Sequence, residues 1–239
     1  MLPDAPPGIA LWLPKGMTAA IGLAQNPELE LEIEAMRHDG VGLVRRQSGG
    51  GAVLLYEGVL CWEAYANLRD LEKLGGSGIR QTYRILSQPI VRALSSLGLE
   101  VFNAGICDLS TNVNGKTRKL AGTAQLRRKD KALVHGSLLV SSDVEMLSAY
   151  LKFPSDQPDY RQGRRHRDFC LSVLEAVDGD AETLMSRLTD AIVGALDELK
   201  MQLLPLPSQL PPEAAALEAG KYNNNAWNWS RARMENRHD

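Results

Sequence analysis

The chain has 239 residues, 44% of them apolar and 23% charged, with a net charge of -2. That balance belongs to a globular domain with a buried core, and it excludes a strongly basic nucleic-acid binder and a low-hydrophobicity disordered chain. No apolar run is long enough to span a bilayer, the proline-bearing start (Pro3, Pro6, Pro7) is unlike a secretion signal, and Cys61, Cys107 and Cys170 are odd in number and widely spaced. The reading is a soluble cytoplasmic protein with reduced thiols, without a membrane partner, a nucleic-acid partner or a zinc site.

In chain order, residues 9–13 and 18–22 read as short strands about a Pro14-Lys15-Gly16 turn. Asn26 followed by Pro27 predicts a capped helix over 28–37, rich in carboxylates in its first turn. Strands are expected over 40–46 and 59–67. The apolar spacing of Ile79, Tyr83, Leu86, Ile90, Val91, Leu94 and Leu97 predicts a helix over 79–97 that Pro89 kinks or divides and Gly98 ends. Strands follow over 99–109, 118–127 and 133–140, the last two joined by a charged turn at 128–131. A short helix capped by Asp143 covers 144–151. Residues 155–169 lack periodicity and hold Arg161, Arg164, Arg165, His166 and Arg167, which fits a solvated loop or a functional one. An amphipathic helix covers 181–199, a proline-rich linker follows, and an aromatic stretch at 221–229 is fit to dock before a polar end that frays. Strands interleaved with helices predict a single α/β (α+β) domain with a mixed β-sheet flanked by helices.

Two stretches could hold chemistry. The first is Arg45-Arg46-Gln47-Ser48-Gly49-Gly50-Gly51-Ala52-Val53. Three residues without Cβ let backbone N–H groups approach an anionic or carbonyl oxygen, and the arginines add forked donors. Alone, such a triplet fits an ordinary hairpin turn equally well, and neither Walker nor G-x-G-x-x-G spacing is present. The second is Lys119-Leu120-Ala121-Gly122-Thr123-Ala124, followed by His135-Gly136-Ser137. A lysine beside a strand of small residues can hold a carboxylate or phosphate, and if it points inward it needs an anionic partner. Pointing outward it is a strand-edge lysine. His135 alone reads as a histidine that satisfies a neighbouring polar group.

Taken together, the order of Leu11-Trp12, Gln25-Asn26-Pro27 with Glu30, the arginine–glycine signature, Gly105, Asp108-Leu109, the Lys119 strand, His135-Gly136-Ser137-Leu138-Leu139, Lys221-Tyr222 and Trp227-Asn228 resembles the lipoate–protein ligase A family of the wider biotin/lipoate ligase group. The resemblance covers nearly the whole chain. It implies a biotin/lipoate ligase catalytic-domain fold over residues 1–239 as one domain, lacking the accessory C-terminal domain and the N-terminal helix of many members. It implies ATP- and Mg²⁺-dependent activation of lipoate (or octanoate) and attachment to a lysine of lipoyl carrier domains, the E2 proteins of 2-oxoacid dehydrogenases or glycine cleavage H-type proteins. A separate accessory protein is a further implied partner.

Carried over residue by residue, the resemblance gives Arg46, Ser48, Gly49, Gly50, Gly51 and Ala52 the acyl carbonyl and α-phosphate region. Lys119 becomes the catalytic clamp, Gly122, Thr123 and Ala124 the lining of the acyl tunnel, and His135 and Gly136 its support. Arg164 and Arg165 become phosphate-binding candidates, in a loop that departs from the family's adenylate-binding pattern. Cys107-Asp108 stands where the ligases have Asn-Asp. Cys107 therefore supports a rival reading, an ATP-independent octanoyl or lipoyl transferase whose thiolate, with a pKa lowered by Lys119, accepts the acyl group; its plain reading is a small buried residue. A non-catalytic relative that binds lipoyl domains is a third reading, and a biotin ligase a weaker fourth.

Overall fold

The structure is a computed structural model that describes residues 6–209 and 211–229. Strands β1 (Gly8–Trp12) and β2 (Thr18–Ile21) form about the predicted turn. The expected helix over 28–37 is instead two pieces, α1 (Pro27–Glu30) and α2 (Ile33–Asp39). Leu31 breaks it, since it is fully buried with extended backbone and bridges to Leu151. Asn26 does cap α1, accepting from the Glu28 N–H at 3.1 Å. Then come β3 (Gly42–Arg45), β4 (Val53–Leu55) and β5 (Val59–Asn67), followed by α3 (Leu68–Lys73).

The 79–97 segment divides as expected, into α4 (Ile79–Leu86) and α5 (Gln88–Ser96). Pro89 sits in the first turn of α5, where its missing N–H costs no helical bond. The single strand expected over 99–109 is two, β6 (Phe102–Ala104) and β7 (Asp108–Val113), separated at Gly105, whose φ of +60° suits a turn. Then β8 (Lys116–Arg128) and β9 (Lys131–Leu139) make a long hairpin about the charged turn. Next is α6 (Glu145–Tyr150), where Asp143 accepts from the Glu145 N–H. The expected loop over 155–169 is partly ordered, with a 3₁₀ turn at Asp159–Arg161 and α7 (His166–Phe169). The remainder is α8 (Ala181–Gly194), shorter than expected, then β10 (Gln202–Leu203), α9 (Pro212–Leu217) and α10 (Asn225–Trp229). The proline-bearing start before residue 6 and the polar end after 229 lie outside the described residues.

The predicted mixed sheet is present, but the strands divide between two sheets. A seven-stranded sheet runs β10-β1-β5-β9-β8-β7-β6, antiparallel except for the β1–β10 pair. A three-stranded sheet runs β3-β2-β4, with β2 and β3 parallel. One face of the large sheet packs on α3, α4, α5 and α8 through Leu71, Leu86, Ile90, Leu94, Leu184, Leu188 and Ile192. The other packs on the small sheet and on α2, α6 and α7 through Cys61, Leu139, Ile21, Leu54, Met36, Leu147 and Phe169. The functional residues lie in this second layer. The two sheets face each other there, so a cleft can open between them.

Candidate active site

A bulge sets Lys119. Between β7 and β8 the register shifts at Leu109/Ser110, so that Leu109 pairs with Ala121 and Ser110 with Lys119, leaving Leu120 extra. In an unbroken strand residues three apart face opposite ways; the bulge brings Lys119 and Gly122 to the same side. The lysine then lies across Gly122, where an added Cβ would stand 3.0 Å from Nζ and 3.2 Å from Cε. A methyl at this position would press on the end of the lysine, so the glycine leaves it this path. Nζ pairs with Asp108 Oδ1 at 2.8 Å, the two side chains being 24% and 9% exposed. The other carboxylate oxygen, Oδ2, accepts from the Tyr160 hydroxyl at 2.6 Å. Burial pulls the lysine's pKa down, but the Asp108 charge and hydrogen bond outweigh it and hold the ammonium above its ordinary value. Lys119 is therefore a fixed cation, with the anionic partner that an inward lysine requires.

Opposite it stands the glycine loop. Arg46 donates from Nε and Nη2 to Gly49 O at 3.2 and 2.8 Å, from Nη2 to Gly51 O at 2.7 Å, and from Nη1 to Ala20 O at 2.9 Å. Across a trans peptide, carbonyl and N–H point opposite ways, so fixing these carbonyls turns the Gly50 and Ala52 N–H groups away from the guanidinium. No hydrogen bond among the described residues occupies either N–H. Burial lowers the Arg46 pKa to about 10, which leaves it charged at neutral pH. The expected Arg46–ligand contact is thus, in this structure, a set of contacts that orient the loop. Gly22 closes against the same loop, and a Cβ there would lie 2.2 Å from Gly50 O.

Arg45 is 1% exposed. It donates to the carbonyls of Gly22, Leu23, Gln25, Trp227 and Asn228, while Trp227 Nε1 donates back to Arg45 O at 2.8 Å. The aromatic tail docks as expected, and what it docks on is the back of the glycine signature.

Ser48 Oγ and His135 Nε2 are hydrogen-bonded at 2.7 Å, joining the loop to β9. Burial, with the Arg46 charge beside it, lowers the His135 pKa to about 4, so the ring is neutral. His135 satisfies a neighbour, as expected of it alone, but the neighbour is the signature serine. Gly136 packs under Trp62, whose ring would lie 2.7 Å from an added Cβ.

Two arms of a cleft meet between Lys119 and the loop. The narrow arm, about 130 Å³, is lined by Trp12, Ala20, Cys61, Trp62, Ala124 and Gly136. The wide arm, about 690 Å³, is lined by polar groups that include Asp156, Asp159, Arg161 and His166. Gly50, Gly51, Ala52, Cys107, Asp108, Lys119 and Gly122 border both. The lysine strand and the glycine loop, far apart in sequence, thus form the walls of one junction.

The family model of the lipoyl protein ligase A/B catalytic domain matches residues 3–199. The chain belongs to this family. It is 27% identical to the octanoyltransferase LipM of Lysinibacillus sphaericus, over 95% of this chain and 88% of that one. Among solved structures it is similar to the bipartite lipoate protein ligase of Thermoplasma acidophilum, studied with its E2 lipoyl domain. That match has a TM-score of 0.78 and 25% identity, and covers 96% of this chain and 86% of the other. It is also similar to a lipoate-protein ligase A bound with ATP, with a TM-score of 0.73 and 26% identity over 93% and 85% of the two chains. The sheet-and-helix fold is that of the lipoate–protein ligases, and the protein is an enzyme of the ligase and octanoyltransferase group.

Within this family member, several sequence expectations fall differently. Cys107 borders the junction, but its thiol is pushed up to about 11. Burial and the Asp108 carboxylate outweigh Lys119 and Arg46, so the expected lowering is not found. Thr123 holds the Cys107 carbonyl with both its N–H and its hydroxyl. Arg164 donates to the carbonyls of Tyr160, Arg161, Thr117 and Asp168, bracing its own loop, and Arg165 is exposed and away from the cleft lining. The basic residues of that loop that do line the cleft are Arg161 and His166. Tyr160, as the second partner of Asp108, had no sequence signal, because it comes from an aperiodic loop. Glu30, buried and held by Ser155, also lines the wide arm. The resemblance named it without giving it a role.

Proposed function

We propose that this protein attaches a lipoate or octanoate acyl group to a lysine of a lipoyl carrier domain, activating the free acid with ATP. The observation that carries this reading is the Lys119–Asp108 pair at the point where a narrow apolar arm meets a wide one bordered by charged side chains. An acyl chain fits the narrow arm, its carboxyl group reaches the junction, and the nucleotide occupies the wide arm. Lys119, held protonated, is a charge stabiliser rather than a base. It faces the carboxylate as that attacks the α-phosphate, and then the oxyanion that forms when the carrier lysine attacks the acyl carbonyl. The Gly50 and Ala52 N–H groups, turned by Arg46, are the second set of donors, and the Ser48–His135 contact fixes the loop that bears them. Among the described residues no group of three or more His, Cys, Asp or Glu converges. That fits Mg²⁺ arriving on the phosphates, where it would neutralise charge on the leaving pyrophosphate. The ATP-bound neighbour supports the nucleotide, and the bipartite neighbour supports both an E2 lipoyl domain and a separate accessory protein as partners of this chain, read as one catalytic unit.

A second reading, transfer from an acyl carrier protein through a Cys107 thioester, is supported by the similarity to an octanoyltransferase. The raised thiol pKa places it second. The test is the intact mass of a purified apo lipoyl domain after incubation with the protein. One mixture holds ATP, Mg²⁺ and lipoate; the other holds octanoyl carrier protein without ATP. The expected result is an acyl mass increase in the first alone. Modification in the second alone would replace this reading with the transferase, and binding of the lipoyl domain without modification in either would favour a non-catalytic relative or a missing accessory subunit.

A further inference from the structure

The far end of the narrow arm holds a carboxyl group. Along β5 every residue from Val59 to Ala66 is buried except Glu63, which alone is exposed. What it is exposed to is the cleft. Residues paired directly across strands point the same way, and residues two apart on a strand share a face. The register pairs Glu63 with His135 and His135 with Ala124; in the next row it pairs Cys61 with Ser137 and Ser137 with Gly122. Both rows line the narrow arm, and Trp12, paired with Cys61, extends the lining onto β1.

The same register measures the arm. Lys119 lies across Gly122 on β8, and Glu63 stands two strands away, on β5 beyond β9. Two strand spacings are about 10 Å, which is about the reach of an extended octanoate whose carboxylate is held at Lys119. No lysine or arginine pairs with Glu63 among the described residues. The protein around it raises its pKa, and a hydrogen bond from the Trp12 side chain offsets only part of that rise. A carboxyl group accepts at both oxygens, so one indole N–H leaves acceptor capacity facing the arm.

We propose that Glu63 selects the far end of the acyl chain, favouring an eight-carbon acid with a hydrogen-bond donor there, a hydroxyl or a thiol, over a hydrocarbon or anionic end. A methyl end set against the carboxyl group strips water from it and returns no hydrogen bond. A hydroxyl or thiol replaces that water with a hydrogen bond of its own, and a second carboxylate meets like charge. The sulfurs of a closed dithiolane donate nothing, so the dithiol form of lipoate is favoured over the ring form. The inference rests on the acyl-transfer reading for the chain and goes beyond it in naming what stands at the chain's end.

The experiment measures calorimetric binding of octanoate, 8-hydroxyoctanoate and octanedioate to the wild type, Glu63→Leu and Glu63→Gln. Lipoate and dihydrolipoate are compared in the same proteins without oxygen. The wild type should bind 8-hydroxyoctanoate at least about threefold more tightly than octanoate, the scale of one net hydrogen bond. Octanedioate should bind at least about tenfold more weakly than octanoate, as expected of like charges brought together. Glu63→Leu should reverse the preference between hydroxyl and methyl ends. Glu63→Gln should admit octanedioate and keep part of the preference for the hydroxyl, since the amide still accepts. A preference for dihydrolipoate over lipoate that Glu63→Leu abolishes supports the thiol as the donor; a hydroxyl preference alone supports the hydroxyl. The same ranking and ratios in the wild type and Glu63→Leu overturn the proposal. Should Glu63→Leu fail to fold, equal octanedioate affinity in the wild type and Glu63→Gln overturns it by itself. Binding that ignores Glu63 removes only the selectivity, whereas no binding of any eight-carbon acid to any of the three proteins removes the acyl reading along with it.

Discussion

The two walls of the cleft use positive charge in opposite ways. On the small-sheet side Arg45 and Arg46 turn their guanidinium groups onto backbone carbonyls, so their charge is spent on shaping a loop and seating α10. On the large-sheet side Lys119 meets a carboxylate and stays partly open to the cleft. In the sequence all of these look like residues for an anion. What separates them is what surrounds each one. A guanidinium has five N–H donors that a turn full of carbonyls can saturate, whereas an ammonium laid across a glycine keeps donors for a ligand. The glycine wall presents oriented amides and the lysine wall presents a charge, a division suited to a group that changes from carboxylate to tetrahedral oxyanion.

That division predicts which losses damage chemistry and which damage the fold. Lys119→Ala should lower acyl transfer to the lipoyl domain by about 10²–10³-fold, the scale of removing one stabilising donor at a developing charge. Intact-mass time courses would read the rate, and denaturation should show a much smaller proportional change. Lys119→Arg should not restore the rate, because the larger fork cannot lie across Gly122. Arg45→Ala should do the reverse. It strips donors from a cluster of buried carbonyls and should cost about 3–5 kcal/mol in urea unfolding. Hydrogen exchange should rise over residues 222–229, whose seat it removes. Equal losses of rate in both variants at unchanged stability would erase the distinction between the walls.

Much of this was legible in the sequence, because short-range rules govern it. The strand that became β5, the Pro89 division of the long helix, the Asn26 cap and the charged hairpin turn all follow from spacing and local chemistry. The glycine triplet and Lys119 were identified as chemistry-bearing for the same reason. The break in the helix over 28–37 was not legible, since Leu31 leaves it to pair with Leu151 across the fold. The bulge at Leu120 was not legible either, because register belongs to two strands together. Nor did the arginine cluster at 161–169 disclose which member would be buried against two rings and which would brace the loop. Burial of Arg161 there is decided by Phe153 and Phe169, and nothing in the local spacing marks that contact.

A smaller change should show how closely the walls must approach. Gly22→Ala places a methyl carbon 2.2 Å from Gly50 O, backbone against backbone, so the glycine loop must move. The expected cost is about 1–3 kcal/mol of stability. Octanoate affinity should fall with it, since the loop borders the narrow arm. Cys107→Ala is milder still. With ATP and lipoate the rate should stay within about twofold, as expected for a neutral thiol whose backbone rather than sulfur is held by Thr123. Loss of an ATP-independent transfer in that variant would transfer the chemistry to the cysteine.

The remaining effect expected is a pH dependence shared by the two walls. His135 on the glycine side and His166 on the lysine side are both lowered to about 4, from the ordinary value of 6.5. Burial is the main cause in each, reinforced by Arg46 for the first and by Arg161 and Lys119 for the second. In the unfolded chain both rings take a proton as the pH falls through 6.5, while the folded rings resist until about 4. Unfolding therefore takes up protons in that window, and the stability these groups contribute, complete above the unfolded value, is lost as the pH falls through the folded one. Urea midpoints should decline between pH 7 and pH 5, and each single His→Gln variant should flatten part of that decline. A steeper loss of octanoate binding than of stability in the same window would place the sensitive contact at Ser48–His135. A midpoint that does not move would mean that both rings take their protons as readily in the fold as in the unfolded chain, and the Ser48–His135 contact would then have to be a cationic hydrogen bond held against Arg46.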